Sequence, residues 1–185
     1  MPNIHVLTAG YVGRGTASTV SLIESADSLV VVDPGMVASR ALILDPIDRL
    51  GFSVEDVTDV VVSHHHPDHT INIALFPRAK VHDHWAIYEN DVWTSRSAEG
   101  FDVASGITLW ETPGHTPQDI TTVVETDDGV AAFTHLWWHS EGPEHDPFAT
   151  DAAALSEGRS RVLGVATLIV PGHGEPFVPN SQTAR

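Results

Sequence analysis

Val61-Val62-Ser63-His64-His65-His66-Pro67-Asp68-His69 places four histidines and an aspartate within six residues, directly after β-branched residues. Such side chains are costly to bury without partners, whereas a divalent cation gives each of them a bond. The preceding run, Val57–Val62, contains four valines and ends in three of them, Val60–Val62, as is typical of a strand buried on both faces. The stretch therefore predicts a metal site at the end of a buried strand.

The composition restricts the atoms that could hold such a metal. A chain of 185 residues with 42% hydrophobic residues is long enough for a sizeable core, and we expect a single domain over residues 1–185. Cysteine is absent, which excludes disulfides, iron–sulfur clusters, thiolate zinc sites and a cysteine nucleophile. Any metal must therefore be bound by nitrogen and oxygen.

The charge and the apolar runs restrict the partners. With Lys+Arg 9 against Asp+Glu 25, the formal net charge of -16 would repel polyanions, which argues against extended nucleic-acid binding. The apolar runs are too short to cross a bilayer, and the N-terminus lacks the features of a signal peptide. We expect a cytoplasmic protein that acts on a small-molecule substrate and binds no membrane.

The hydrophobic patterns predict a layered α/β protein. Helical spacing of apolar residues predicts helices over Val37–Leu50 and Ala149–Leu163, and a short one over Thr70–Leu75. Residues 85–101 have no clear pattern, and the residues from Asn180 onward are predicted to be a frayed tail. Strands are predicted where short β-prone runs are bounded by turn residues: Ile4–Thr8, Ser18–Glu24, Leu29–Asp33, Val57–Val62, Ala79–His82, Ile107–Glu111, Ile120–Glu125, Val130–Phe133 and Thr167–Val170.

Histidines recur where predicted strands end. Side chains at strand ends can converge on one rim of a layered sheet, so these histidines are expected to share one site. Within the motif, His64 and His66 project to the same side of an extended segment and could bind one ion. Asp68 and His69, which follow the turn at Pro67, could bind a second. The strand-end histidines are His64, His115, His135 and His173.

The motif His64-His65-His66-Pro67-Asp68-His69 resembles the His-X-His-X-Asp-His signature of the metallo-β-lactamase-fold hydrolases. Within that superfamily, Asn72–Pro77 and Arg161–Leu163 are most similar to the small single-domain branch called metallo-β-lactamase domain-containing proteins. The resemblance implies a four-layer αββα fold, with two mixed β-sheets sandwiched between helices. Three further elements resemble family motifs in the same order: Val32-Asp33-Pro34-Gly35, Thr112-Pro113-Gly114-His115-Thr116 and Pro171-Gly172-His173-Gly174.

The resemblance also implies a ligand set for two metals. The first metal would be held by His64, His66 and His115. The second would be held by Asp68, His69 and His173. Most two-metal members carry a bridging aspartate after the strand that ends here near Phe133, where this chain has Thr134-His135. A neutral imidazole offers one lone pair, so His135 is expected to be a terminal ligand to the second metal, with a hydrogen-bonding or pocket-lining role as the alternative.

The implied function is metal-dependent hydrolysis of a small ester, thioester, lactone or phosphodiester. Zinc, one or two ions per chain, fits a nitrogen and oxygen site with open positions because it supplies hydroxide near neutral pH, with iron or manganese as alternatives. Asp68 would both bind metal and orient the attacking water. Two other hypotheses stay open: a mononuclear iron-dependent oxidoreductase on the same fold, and a non-catalytic metal-binding protein.

Several other residues are candidates for the surroundings of the site. Asp33 and Asp119 could each orient a ligand histidine, although turn or capping roles fit them as well. His65 is expected to be non-ligating. Trp137 and Trp138 could wall a substrate pocket, with core packing expected for at least one. The remaining histidines discussed have no motif support and are expected at the surface or lining a pocket: His82, His84, His139 and His145.

Overall fold

The computed structural model describes residues 1–185 and contains two mixed β-sheets that pack face to face. A separate ribbon is formed by β2 (Tyr11–Val12) and β3 (Thr16–Ala17). The first sheet has seven strands in the order β1 (Asn3–Thr8), β4 (Val20–Glu24), β5 (Leu29–Val32), β6 (Asp59–Val61), β7 (Lys80–His82), β8 (Ala86–Glu89) and β9 (Val92–Ser95). The second has five in the order β10 (Phe101–Ala104), β11 (Ile107–Glu111), β12 (Ile120–Thr126), β13 (Gly129–Thr134) and β14 (Leu168–Pro171). Strands β5, β6 and β7 run parallel, as do β13 and β14.

Helices cover the outer faces of both sheets. On the first sheet, α1 (Ala41–Arg49) packs Ile43 and Ile47 against the strands. On the second, α3 (Ala152–Leu163) packs Leu155 and Val162 in the same way. A third cluster, between the sheets, includes Ile23, Val30, Val32, Val61, Ile107, Leu109, Ile120 and Phe133. Three hydrophobic layers separate four structural layers, which confirms the predicted αββα fold. None of the helices combines the length and apolar character needed to span a bilayer.

The helical segments around the histidine motif are shorter than predicted. Residues 37–39 precede α1 instead of belonging to it, and Arg40 is the N-cap. Hydrogen bonds fix the chain on both sides of residues 37–39: Met36 N donates to Asp68 O at 2.9 Å, and Arg40 Nε to Asn72 Oδ1 at 2.8 Å. The helix predicted over Thr70–Leu75 is divided into a single turn, α2 (Pro67–Thr70), and a 3₁₀ turn, Ile73–Leu75. Pro67 favours this early start because its fixed φ suits the first helical position.

Two other regions differ from the sequence prediction. Residues 85–101, which had no clear pattern, form the antiparallel hairpin β8–β9 and the start of β10. The prediction of a frayed tail after Asn180 is wrong. Trp137 Nε1 donates to Ala184 O at 2.9 Å, and Thr183 is buried. An indole N–H in the core needs an acceptor, and the C-terminal segment supplies it.

Candidate metal centre

The strand-end histidines meet at one edge of the two sheets, as predicted. The motif follows β6, and His115 follows β11. His135 and His173 come together because β13 and β14 are parallel neighbours, with Thr134 paired to Pro171. Parallel strands end at the same edge of a sheet, so residues just beyond them become neighbours. These four strand-end histidines and His69 are buried, whereas His65 and His66 are exposed.

His64, His66 and His115 form the first group of converging donors, with one ligand atom of each within 4.8 Å of the others. His66 Nδ1 lies 2.9 Å from His64 Nε2 and 3.2 Å from His115 Nε2. The outer ring nitrogens have oxygen partners. His64 Nδ1 lies 3.1 Å from Ser63 Oγ, and His115 Nδ1 lies 2.7 Å from Asp146 Oδ2. The outer nitrogens therefore carry the protons, and the inner lone pairs face one another.

Asp68, His69 and His173 form the second group of converging donors. Asp68 Oδ2 lies 3.6 Å from Nε2 of each of the two histidines. The outer nitrogens are again paired: His69 Nδ1 donates to Asp33 Oδ2 and His173 Nδ1 to Ala17 O, both at 2.9 Å. His69 Nε2 is buried and has no hydrogen-bond partner. Such an orphaned atom, aimed at a carboxylate and a second imidazole, fits a cation ligand.

Asp33 joins the two groups. Its Oδ1 accepts from Ser63 N and its Oδ2 from Ser63 Oγ, both at 2.7 Å, while Oδ2 also pairs with His69. Since Ser63 Oγ donates to Asp33, it accepts from His64 Nδ1. Asp33 adopts a positive φ of 51°, which aspartate tolerates better than most residues. Asp33 thus orients His69 directly and His64 through Ser63. An orienting role was one of the two roles predicted for Asp33.

The protonation of the histidines suits metal binding. Burial holds the pKa of His64 and of His135 well below the ordinary value, and burial lowers the pKa of His173 to about 4. These imidazoles are therefore neutral near pH 7 and keep a lone pair for a cation. Burial also acts to lower the pKa of His69, but the Asp33 charge and hydrogen bond outweigh it and the pKa is raised. A cation beside Asp68 would replace the proton on His69 Nε2.

His135 lies between the two groups. Its ring centroid is 4.5 Å from that of His64 and 4.2 Å from that of His115, and its Nε2 is 3.1 Å from His173 Nε2. Gly172 makes room for the ring, because a Cβ there would lie 2.4 Å from His135 Cδ2. His135 Nδ1 is buried without a partner. The imidazole thus sits within reach of both candidate metal positions.

The carboxylate partner of His115 was missed at the sequence level. Asp119 is buried and accepts from the backbone N and the hydroxyl of Thr116, at 2.7 and 2.6 Å, so it stabilises the loop and neither caps a helix nor pairs with a ligand histidine. Burial raises the pKa of Asp119 to about 6. His115 pairs with Asp146, which lies in the long segment between β13 and α3. Its only sequence signal is an Asp-Pro pair in a Pro- and Gly-containing stretch, which is typical of any turn.

Histidines outside the two groups occupy three kinds of position. His65 lies on the other side of the motif, with Nε2 2.9 Å from Asp83 Oδ2. The expectation for His82 is wrong, since it is buried and its Nε2 lies 2.8 Å from Asp59 Oδ1. A neighbouring strand supplies the carboxylate that makes this burial tolerable. His145 is exposed, and three are half-buried: His5, His84 and His139.

A cavity of about 680 Å³ opens over both groups of donors. Donor residues from both groups and His135 line it, and none of its lining residues is Lys or Arg. Trp138 and Phe148 form one wall, with ring centroids 5.8 Å apart and planes inclined by 11°. Trp137 is fully buried, as expected for one of the two tryptophans. The donors therefore form the base of a pocket that is large enough for a small molecule.

The αββα fold and this donor set define a class of proteins in which histidines and a carboxylate gather at one edge of two packed sheets. The chain belongs to the metallo-beta-lactamase superfamily, whose family model matches residues 13–173. It is similar to "Metallo-beta-lactamase domain-containing protein 1" of Mus musculus, with 34% identity over 169 residues, which is 86% of this chain. The matched part is 65% of that relative, so the chain spans just under two thirds of its length.

Solved structures show the same fold. The crystal structure of a metallo-beta-lactamase-like protein from Thermotoga maritima has a TM-score of 0.77 and 21% identity, covering 96% of this chain and 99% of that one. AidC, a dizinc quorum-quenching lactonase, has a TM-score of 0.58 and 20% identity, covering 80% of this chain and 67% of its own. At these identities the likeness establishes architecture alone.

Proposed function

We propose that this chain is a hydrolase with one or two zinc ions, acting on a small ester, thioester, lactone or phosphodiester. One observation carries the proposal: in both groups the outer nitrogens of the buried histidines are paired with oxygens while the inner donors converge beneath an open pocket. Such pairing orients and activates metal-bound imidazoles. Neither group would gain from this arrangement without a cation.

The assignment of ligands follows the two groups. A first ion would be held by His64, His66 and His115. A second would be held by Asp68, His69 and His173, with His135 as a further terminal ligand. A bound divalent ion supplies Lewis acidity and lowers the pKa of a water at neutral pH. Imidazole in place of the usual bridging carboxylate leaves the site more positive by one charge and favours a weaker second site.

Asp68 is proposed as the catalytic residue. Its carboxylate is 19% exposed, lines the pocket and lies 3.6 Å from two candidate ligand nitrogens. From this position it can orient an attacking water and accept its proton. Burial lowers the pKa of the neighbouring His173 to about 4 and keeps that imidazole neutral, and Asp68 is the carboxylate of the second group that lines the pocket.

The pocket lining favours an uncharged acyl substrate within the proposed range. Phosphodiesters are usually met by Arg or Lys side chains, and the lining contains neither. The stacked rings of Trp138 and Phe148 offer an apolar surface beside the donors, and Phe148 is 68% exposed. A lactone, ester or thioester with an apolar arm therefore fits better than a nucleotide.

An iron-dependent oxidoreductase is the second candidate function. The specific observation in its favour is His135, which adds a fourth imidazole beside the first group, only 4.2 Å from His115 between ring centroids. Histidine-rich sites also suit iron. The identity of the metal separates the two functions.

The test is metal analysis of protein purified without added metal, followed by assays of lactone, thioester, ester and phosphodiester substrates. Hydrolysis predicts about two zinc ions per chain, whereas iron with visible absorbance would support the oxidoreductase. His64→Ala and His115→Ala should each lose metal and hydrolysis. His5→Ala, a histidine on β1 outside both groups, is the matched control and should behave as wild type. Unchanged metal content and hydrolysis in both site variants would refute the proposal.

A further inference from the structure

Arg159 of α3 forms three hydrogen bonds to the segment between β13 and α3, residues 135–151. Arg159 is 1% exposed and donates from Nε to Leu136 O, from one terminal nitrogen to Glu144 O and from the other to Pro143 O, each at 2.8 Å. A guanidinium presents its donors in a rigid planar fork, so the carbonyls that it binds are held in a fixed arrangement. The residues that follow Glu144 are therefore placed before any ligand binds.

Asp146, carried by this segment, collects three donors on its two oxygens. Its Oδ2 accepts from His115 Nδ1 at 2.7 Å and from Trp138 Nε1 at 3.2 Å, and its Oδ1 accepts from Phe148 N at 2.8 Å. The side chain is only 1% exposed. An ionised carboxylate accepts only, which matches three partners that only donate here.

We propose that Asp146 is a positioning residue that holds His115 in the tautomer with its proton on Nδ1 and joins His115 to the aromatic wall of Trp138 and Phe148. The proposal rests on the proposed function, because His115 is one of the proposed metal ligands. With the proton on Nδ1, the Nε2 lone pair faces the first group, where it lies 3.2 Å from His66 Nδ1. The wall that contacts substrate and the ligand that binds metal are thus held by one carboxylate.

Two other arrangements of the same residues are less consistent with the contacts. Asp119 is closer to His115 in sequence, but both its oxygens are occupied by Thr116. Asp146 could also form a cation site with His115 and His135, since their ligand atoms lie within 4.8 Å of one another. In that arrangement Asp146 would lose its hydrogen bonds from Trp138 and Phe148. His115 would also have to lose its Nδ1 proton.

Asp146→Asn tests the proposal. A carboxylate has two accepting oxygens, whereas an amide has one. Asparagine therefore cannot accept hydrogen bonds both from the side chains of His115 and Trp138 and from the backbone N of Phe148. Zinc affinity, measured by competition with a fluorescent chelator, should fall by about tenfold to a hundredfold, the usual effect of removing the partner of a metal-bound histidine. The tryptophan emission of the metal-free protein should also shift.

Asp151→Asn is the matched control. It removes one charge from the same stretch but keeps the cap of α3, where Asp151 Oδ1 accepts from Ala153 N and Ala154 N. Asparagine and aspartate cap helices about equally well. Zinc affinity of this variant should stay within about twofold of wild type.

Nitrogen NMR of the wild-type, metal-free protein reports the tautomer of His115 without requiring any substitution. His115 should show the Nδ1-protonated tautomer, and the signal should become mixed in Asp146→Asn. Unchanged zinc affinity in a folded Asp146→Asn protein, loss of one whole zinc ion from it, or an Nε2-protonated His115 in wild type would each overturn the proposal. Absence of zinc binding by wild type would instead overturn the proposed function and leave the tautomer to be decided by NMR.

Discussion

Gly172→Ala should displace His135 without altering any candidate ligand directly. Gly172 lies at the end of β14, and a Cβ there would be 2.4 Å from His135 Cδ2 and 3.2 Å from His135 Nε2. Ordinary van der Waals contact begins at 3.4 Å, so the ring must move by the difference, about 1 Å. The backbone of Gly172 is not in the left-handed region, which leaves this steric contact as the source of the effect.

The displacement has two measurable consequences. Overpacking a buried site costs about 1–3 kcal/mol, so urea unfolding of the metal-free protein should show a loss of that size. Metal–ligand distances tolerate only about 0.2 Å, so a shift of about 1 Å removes His135 as a ligand and should weaken the second zinc at least about tenfold. Chelator competition measures this affinity. The Gly13→Ala protein is the control, since a Cβ there meets nothing within 4 Å.

A double-variant cycle identifies the cause of the effect. In a His135→Ala background the ring is absent, so adding Gly172→Ala should cost almost no stability. The coupling between the two substitutions should then account for nearly all of the 1–3 kcal/mol, about the range expected for residues in contact. If Gly172→Ala destabilises both backgrounds equally, the steric reasoning is wrong.

Three further predictions concern stability. Arg159→Met leaves one buried and two partly buried carbonyls without their donor and should lower the free energy of unfolding by about 3 kcal/mol; a loss below about 1 kcal/mol in urea unfolding would contradict this. Burial acts to raise the pKa of Asp83, but hydrogen bonds from His65, Tyr88 and backbone N–H groups outweigh it and lower the pKa from 3.8 to about 2. Its stabilisation, about 2 kcal/mol at most, is present above pH 4 and is lost as the pH falls through about 2, so Asp83→Asn should flatten the acid side of a stability profile. Trp137→Phe removes the donor to Ala184 O and should release the C-terminal segment to faster amide hydrogen exchange, with little change in the central strands.

The sequence predicted the sheet strands well because the pattern of apolar residues reports burial directly. The run Val57–Val62 indicated a strand buried on both faces, and β6 lies in the middle of the first sheet with every residue buried. Residues 85–101 had no such pattern because β9 is an edge strand whose four residues are all exposed. A strand with no buried face leaves no periodic signal to detect.

The ends of α1 and the C-terminal segment were predicted less well for another reason. Residues 37–39 have helical spacing but lie outside the helix, between two long-range hydrogen bonds, from Met36 N to Asp68 O and from Arg40 Nε to Asn72 Oδ1. The residues after Asn180 are polar enough to suggest a free tail, yet the buried indole of Trp137 needs the acceptor that Ala184 provides. Local propensity is a weak prior, and tertiary contacts override it at both positions.

For the candidate site, the sequence by itself determined the donor atoms and the edge of the fold at which they gather. Imidazole and carboxylate groups are identified by residue type, and strand ends place them together. Only the tertiary structure decided which carboxylate serves which histidine. Asp146 reaches His115 across 31 residues because Arg159 fixes the intervening chain, whereas the nearer Asp119 turns to Thr116. Such pairings depend on how separate segments pack, and the spacing of residues along the sequence does not predict that packing.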